Sequence, residues 1–170
     1  ISIIEGDPGM GKSWITLAIA NAVSRGIPLP GNEKSPIEPA NVLLLAAEDG
    51  VADTIRPRLE TLGADLEKIS VLEAIEDTLD EERCFPNLSK HFTALDETLG
   101  EGYGLVVIDP INAYLGASLD THRDAAVRSV LGPIAQLAEK HNVAIVCIRH
   151  LTKSTQTKAQ YRGQGSIGFT

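Results

Sequence analysis

The sequence predicts an α/β fold of three layers, in which a mainly parallel, twisted sheet is covered by helices on both faces. Two observations indicate this class. Apolar segments without polar alternation, which are typical of strands buried on both faces, recur along the chain. Segments with helical periodicity lie between them, and strands that alternate with helices form parallel sheets. The chain of 170 residues has the length of one domain, so we expect residues 1–170 to form a single domain.

The amino-terminal half is predicted to contain three strands and two helices. Residues 1–5 form a short strand, and residues 12–24 form a helix that is apolar nearly all round, which is typical of a helix buried within the fold. Gly26 ends this helix, and the proline-rich residues 27–40 form a surface loop. The remaining elements of this half are a buried strand over 41–47, a helix that bends or begins near Pro57, and a short strand over 69–72.

The carboxy-terminal half is predicted to contain two strands and two helices after an acidic, irregular segment at 73–86. These elements are a helix over 88–99, a strand over 105–108, a helix that starts at a capping box over 121–124 and kinks at Pro133, and a strand over 143–148. The pattern of residues 165–170 is typical of the start of a strand that is cut short. The first residues of the chain likewise resemble a strand entered at its first residue. We therefore expect a domain excised from a longer protein.

The composition excludes several classes of protein. Hydrophobic residues make up 43% of the chain and charged residues 22%, which is ordinary for a globular domain and excludes global disorder. No apolar segment is long enough to span a membrane, and the first residues do not resemble a signal peptide. Cys84 and Cys147 lie in no metal-binding or redox motif. These features predict a cytoplasmic protein without a membrane partner.

A phosphate-binding loop is the strongest motif in the chain. Residues 6–13 match the pattern G-x-x-x-x-G-K-[ST] in full, between a predicted strand and a predicted helix; they read Gly6-Asp7-Pro8-Gly9-Met10-Gly11-Lys12-Ser13. Such glycines let backbone N–H groups surround a phosphate at a helix N-terminus. Lys12 supplies a positive charge, Ser13 can offer a hydroxyl to Mg²⁺, and Trp14 is expected in the core or as a wall beside the nucleotide. The alternative is a glycine-rich turn that binds nothing.

Polar side chains follow three further strands, and the carboxyl ends of parallel strands meet at the edge where ligands bind. Asp109 follows an apolar strand and has the form of an acid that holds Mg²⁺ beside Ser13. Glu48 is the candidate general base for the water that attacks the γ-phosphate, with Asp49 as its rival. His150 could sense the γ-phosphate or form a hydrogen bond with Glu48. Each of these residues could instead be an ordinary polar strand end.

Charge is distributed unevenly along the chain. The net charge is −8, yet residues 140–170 contain five basic and no acidic residues. Within this region, Lys153, Lys158 and Arg162 could contact the backbone of single-stranded DNA, and Tyr161 could stack on a base. The alternatives are a solvated loop, or an Arg162 that reaches the nucleotide of a neighbouring subunit as an arginine finger.

Four segments together resemble a known family. They are Glu5-Gly6-Asp7-Pro8-Gly9-Met10-Gly11-Lys12-Ser13, Leu45-Ala46-Ala47-Glu48-Asp49-Gly50, Val107-Ile108-Asp109-Pro110 and Ile148-Arg149-His150-Leu151-Thr152-Lys153. In this order they resemble the RecA-like ATPases related to the RepA-type plasmid replicative helicase, which include AAA-family ATPases of phage and plasmid replication modules.

The resemblance implies a RecA-like P-loop domain that hydrolyses ATP with Mg²⁺. It also implies a homo-oligomeric ring, usually a hexamer, with ATP between subunits and DNA in the central channel. By motif match, Lys12 and Ser13 bind nucleotide and metal, Asp109 binds Mg²⁺, Glu48 activates water, and His150 occupies the sensor position.

Three functions compete at this point. The first is an ATP-driven DNA motor, that is, a replicative helicase or a helicase-like ATPase. The second is a nucleotide-switch or assembly ATPase, similar to KaiC or to recombinase paralogues, that does not unwind DNA. The third is a phosphate-loop kinase, which would need an Arg-rich lid, and no such lid is found.

Overall fold

The computed structural model describes residues 1–35, 37–76, 83–84, 86–88, 90–116 and 124–150. In chain order the strands and helices are β1 Ser2–Gly6, α1 Lys12–Arg25, β2 Asn41–Ala46, α2 Arg56–Leu62, β3 Ile69–Val71, β4 Ile75–Glu76, β5 Arg83–Cys84, α3 Phe92–Leu99, β6 Tyr103–Asp109, α4 Asp124–Lys140 and β7 Ala144–His150. A π-helical turn over Val51–Ile55 leads into α2, and short 3₁₀ helices cover Leu66–Lys68 and Ile111–Tyr114.

Five strands form one sheet in the order β1-β7-β6-β2-β3, and all four neighbouring pairs are parallel. The predicted parallel sheet is therefore confirmed. Strands β4 and β5 pair antiparallel as a separate two-stranded ribbon inside the segment predicted to be irregular. Because these strands run in the same direction, their carboxyl ends lie at one edge of the sheet. The ends of β1, β7, β6 and β2 are therefore neighbours there, although the strands are not consecutive in sequence.

Helices cover both faces of the sheet, which confirms the three-layer α/β/α architecture. On one face, α1 and α2 pack on alternate residues of β2 and β6, including Val42, Leu44 and Val107. On the other face, α3 and α4 pack on the intervening residues, including Leu43, Leu45 and Ile108. Successive strand residues point to opposite faces, so strands buried on both sides are apolar throughout.

Helix α1 is only partly buried, so the prediction of a helix surrounded by protein is wrong. Thr16, Leu17 and Ala20 face the sheet and are buried, whereas Trp14 and Ile15 are 42% and 49% exposed. The helix lies on the outer layer of the domain, where only one face can contact the sheet. The helix therefore carries apolar residues outside the face that packs on the sheet.

The loop between α1 and β2 is held firmly at both of its ends. Gly26 ends α1 in a left-handed conformation, as predicted, and the Ile27 N–H donates to the Ala22 carbonyl at 2.8 Å. A Cβ atom at Gly26 would lie 2.8 Å from the Ile37 carbonyl oxygen, so the far side of the loop packs against this glycine. The Ala40 N–H donates to Val23 at 3.0 Å. Between these points residues 29–35 are exposed.

The start of helix α3 differs from the prediction, and the predicted start of helix α4 lies partly outside the described residues. Helix α3 begins at Phe92 and not at 88, because the Lys90 and His91 N–H groups donate to the Asn87 carbonyl in a turn that precedes the helix. Helix α4 runs from Asp124 to Lys140 with Pro133 inside it. The capping-box residues 121–123 and the polar segment 151–165 lie outside the described residues. Among the described residues, no helix has both the length and the apolar character needed to cross a membrane.

Candidate nucleotide-binding site

The phosphate-binding motif forms the turn between β1 and α1. Gly9 and Gly11 both have φ near 79°, a left-handed conformation that favours glycine. Gly11 is the N-cap of α1, so the positive end of the helix dipole points into the turn. Lys12 is 6% exposed, and its Nζ donates to the carbonyls of Gly6 and Asp7 at 2.9 Å each. The ammonium group is therefore held across the loop.

A pocket of about 390 Å³ opens beside this turn. The predicted site residues that line it are Pro8, Gly9, Gly11, Lys12, Ser13, Trp14, Glu48, Asp109 and His150. Gly6, Asp7 and Met10 are not among the lining residues: Gly6 and Asp7 bind Lys12 through their carbonyls, and Met10 is 71% exposed. Residues from four different strand ends thus surround a single cavity, as the strand order requires.

Asp109 lies at the end of β6 and lines the same pocket as Ser13. Burial raises the pKa of Asp109 above its ordinary value, and the negative charges of Glu48 and Asp49 raise it further. The hydrogen bond from Ser13 and the charge of His150 act in the opposite direction. Asp109 and the Ser13 hydroxyl line the same pocket beside the phosphate loop, and oxygen donors of this kind suit a hard divalent cation.

Glu48 and His150 lie opposite each other across this edge of the sheet. His150 Nε2 is 3.3 Å from Glu48 Oε2, and with its proton on Nε2 the histidine donates to the carboxylate. His150 Nδ1 is buried and has no hydrogen-bond partner among the described residues. Glu48 itself is exposed, with 62% of its side chain accessible. The predicted contact between the two side chains is therefore present, and Glu48 stays open to water.

An ion pair that the sequence analysis did not single out lies directly behind the loop. In the parallel register Glu5 pairs with Arg149, and Gly6 with His150. Arg149 is 4% exposed, and its Nε donates to Glu5 Oε2 at 3.0 Å. The pair therefore joins the residue before the phosphate loop to the residue before His150. The only signal in the sequence is that each residue directly precedes a motif.

A second contact that sequence reasoning missed involves Arg58 of α2. Its Nη1 lies 2.7 Å from Asp49 Oδ2, and its guanidinium carbon lies 5.5 Å from the centre of the Trp14 ring. All three side chains line the pocket. The pattern of residues gives no signal for this contact, because Arg56 and Arg58 look alike until α2 is packed against α1.

Lys153, Lys158, Tyr161 and Arg162 lie outside the described residues. Among the described residues, no group of three or more His, Cys, Asp or Glu side chains forms a ready-made metal site.

A parallel α/β/α fold with a complete phosphate loop at the carboxyl edge of its sheet defines a P-loop nucleotide-binding domain. A family model described as an AAA domain matches residues 1–156. The chain belongs to this family of P-loop ATPases. The comparison with curated proteins finds no significant match.

Proposed function

We propose that this domain is the ATP-hydrolysing, RecA-like motor of a replicative DNA helicase or of a helicase-like replication ATPase. The observation that carries the proposal is the meeting of Glu48, Asp109 and His150 with the phosphate loop in one pocket. A domain that only binds nucleotide needs the loop, whereas hydrolysis also needs a base and a charge-stabilising group beside it.

The phosphate loop is proposed to bind the triphosphate. The backbone N–H groups of residues 6–13, apart from Pro8, which has none, would surround a phosphate; Gly9 and Gly11 allow the turn, and Asp7, Pro8 and Met10 complete it. Lys12 exchanges the carbonyls of Gly6 and Asp7 for the outer phosphate oxygens, which carry more negative charge. Trp14 forms a wall of the pocket beside the nucleotide.

Ser13 and Asp109 are the proposed ligands of Mg²⁺. Both offer oxygen atoms and line the same pocket, so the donors fit a hard cation. Bound Mg²⁺ would neutralise charge on the phosphate oxygens during transfer. Because Mg²⁺ takes few protein ligands in nucleotide sites, two oxygen donors suffice.

Glu48 is the proposed general base. In the reaction a water oxygen forms a bond to the γ-phosphorus, the bond to the β–γ bridging oxygen breaks, and ADP leaves with that electron pair. Glu48 accepts the proton that the water loses. Asp49 is less suited to this step because Arg58 already binds its carboxylate at 2.7 Å. His150 holds Glu48 in place and lies where it can respond to the γ-phosphate.

The DNA-related part of the proposal depends on charge. The basic region 140–170 contrasts with the acidic remainder of the chain, and Lys153, Lys158, Tyr161 and Arg162 follow directly after the strand that ends at His150. A basic segment at the carboxyl edge of the sheet would place single-stranded DNA close to the nucleotide. In this proposal the domains assemble as a ring, usually a hexamer, with ATP between subunits.

The deciding experiment measures ATP turnover with and without single-stranded DNA, at low and high salt. The motor function predicts turnover stimulated by DNA and a DNA affinity that falls steeply as salt increases. If DNA changes neither turnover nor affinity at low salt, the domain is a nucleotide switch or assembly ATPase and not a DNA motor. Glu48→Gln should retain ATP binding but lose turnover by about 100-fold or more.

A matched pair of variants tests the basic segment. Replacing Lys153, Lys158 and Arg162 together by alanine should weaken DNA binding and leave ATP binding unchanged. The control replaces the exposed Lys34, Arg56 and Lys90, which removes the same three charges elsewhere. Equal losses of DNA affinity in the two variants would mean that net charge matters and that the segment does not contact DNA.

A further inference from the structure

We propose that Arg58 is a positioning residue for the catalytic turn at Glu48, tying that turn to the phosphate-loop helix. The inference rests on the proposed function, because Glu48 is taken as the general base. It concerns how Glu48 is held in place, which the motifs leave open.

Arg58 joins two parts of the pocket that the chain does not connect locally. Its guanidinium donates to Asp49, the residue after Glu48, and lies over the ring of Trp14, the residue after Ser13. Charge-assisted hydrogen bonds and cation–π contacts both strengthen when the groups are shielded from water. Here 28% of the Arg58 side chain and 37% of the Asp49 side chain are exposed, so the pair is partly shielded.

The turn that carries Glu48 is fixed on both sides but not in its middle. At its start the Ala47 N–H donates to the Asp109 carbonyl at 3.0 Å. At its end the Gly50 carbonyl accepts from Thr54 and Ile55 at 3.1 and 3.0 Å. Between these points lie only Glu48 and Asp49: His150 contacts the side chain of Glu48, and the Arg58–Asp49 ion pair links this stretch to α2. Removing that link frees the backbone on which Glu48 is mounted.

A contact of this kind affects the reaction rate more than nucleotide binding. The base must stay within hydrogen-bond distance of the attacking water, and a displacement of about 1 Å can lower a rate by about 100-fold. The atoms proposed to bind the phosphates belong to residues 6–13, whereas Arg58 contacts Asp49 and Trp14. Loss of Arg58 is therefore expected to lower kcat while KM for ATP changes little.

Arg56 provides a matched control on the same helix. It forms an ion pair with Glu60 at 2.9 Å, but the two side chains are 66% and 52% exposed and neither lines the pocket. Such exposed pairs contribute little. Arg56→Ala and Arg58→Ala thus remove the same charge and one ion pair each from α2, whereas only Arg58 is partly buried and contacts the site.

The experiment compares the unaltered chain with Arg58→Ala, Arg58→Lys, Asp49→Asn and Arg56→Ala by steady-state ATP hydrolysis with Mg²⁺. We expect kcat to fall about 10- to 100-fold in Arg58→Ala and in Asp49→Asn, with KM within about twofold of the unaltered chain. Arg58→Lys keeps the charge and should recover part of the loss, and Arg56→Ala should be unchanged. The double variant Arg58→Ala/Asp49→Asn should lose no more than either single variant, because both remove one contact.

Fluorescence gives a readout that does not depend on activity. Trp14 is the single tryptophan of the chain, so its emission and its quenching by iodide report the Arg58 contact directly. Both should change in Arg58→Ala and stay unchanged in Arg56→Ala. If Arg58→Ala fails to fold by circular dichroism, Asp49→Asn decides, because it retains the arginine.

The outcomes separate this inference from the proposed function. If the unaltered chain hydrolyses ATP and Arg58→Ala matches Arg56→Ala, the positioning role is wrong and the proposed ATPase stands. A raised KM for ATP with unchanged kcat would mean that Arg58 contacts the nucleotide, which also overturns the positioning role. No turnover in the unaltered chain would overturn the proposed function, and this inference with it.

Discussion

Replacing Glu5 by glutamine should destabilise the domain measurably, because the substitution removes the carboxylate that binds the buried Arg149 guanidinium. Arg149 is 4% exposed and Glu5 is one-third exposed, with 34% of its side chain accessible. Removing one partner of a fully buried ion pair costs about 3–5 kcal/mol. Water can reach the Glu5 side of this pair, so we expect a loss of about 2 kcal/mol in the free energy of unfolding.

Urea unfolding measures this loss directly. A change of about 2 kcal/mol multiplies the unfolding equilibrium constant by about 30. With a denaturant dependence of about 2 kcal/mol per M, the midpoint should fall by about 1 M urea. Glu60→Gln is the control, since it breaks the exposed pair with Arg56 and should cost less than about 0.5 kcal/mol.

Two results would refute this reasoning. If Glu5→Gln and Glu60→Gln shift the midpoint equally, the Glu5–Arg149 pair contributes no more stability than an exposed ion pair, despite the burial of Arg149. The second test replaces both Glu5 and Arg149 by leucine, which removes the charges together and should restore most of the stability lost in Glu5→Gln. A double variant much less stable than Glu5→Gln would mean that packing and not charge explains the loss.

Three further predictions concern single side chains. Lys12→Ala should lower ATP turnover by about 100-fold or more, because it removes charge stabilisation of the phosphates, and calorimetry should register weaker ATP binding; unchanged affinity would contradict the loop assignment. Hydrogen bonds from Lys140 and His141 hold the pKa of Asp96 below its ordinary value, so the stability from this carboxylate is present above pH ~4 and is lost as the pH falls through the lowered pKa. Asp96→Asn should therefore lower the urea midpoint at pH 7 and match the unaltered chain in strong acid. Burial raises the pKa of the Cys147 thiol to about 12, so in a Cys84→Ser variant it should react with a thiol reagent at pH 8 only as the protein unfolds; rapid labelling of the folded protein would contradict this.

The sequence allowed the fold to be predicted well because its strands are buried on both faces. Uninterrupted apolar segments such as 41–47 are hard to mistake, and the phosphate loop orients the sheet. Burial of α1 was predicted incorrectly, because Trp14 and Ile15 are apolar but remain 42% and 49% exposed. Composition alone does not indicate which face of a helix meets the sheet.

Only the site residues that lie at strand ends could be predicted from the sequence. Glu48, Asp109 and His150 were expected together because parallel strands end at one edge, and they line one pocket. The contacts of Arg58 and of the Glu5–Arg149 pair depend on register and on helix packing, and neither is visible in the order of residues. The start of α3 was misplaced because Leu88 continues the apolar spacing of the helix, whereas the chain makes a turn at Asn87 before the helix begins.

The loop between α1 and β2 offers a place to attach a probe. Its two ends are fastened by backbone hydrogen bonds and by the close approach of Ile37 to Gly26, and residues 29–35 between them are exposed. Exposed loop tips with anchored ends tolerate insertions, because the added chain has no packed neighbours to displace. A dye or a small reporter domain inserted near residue 32 would therefore label the protein on the edge of the sheet opposite the phosphate loop, leaving nucleotide turnover free to be followed in real time.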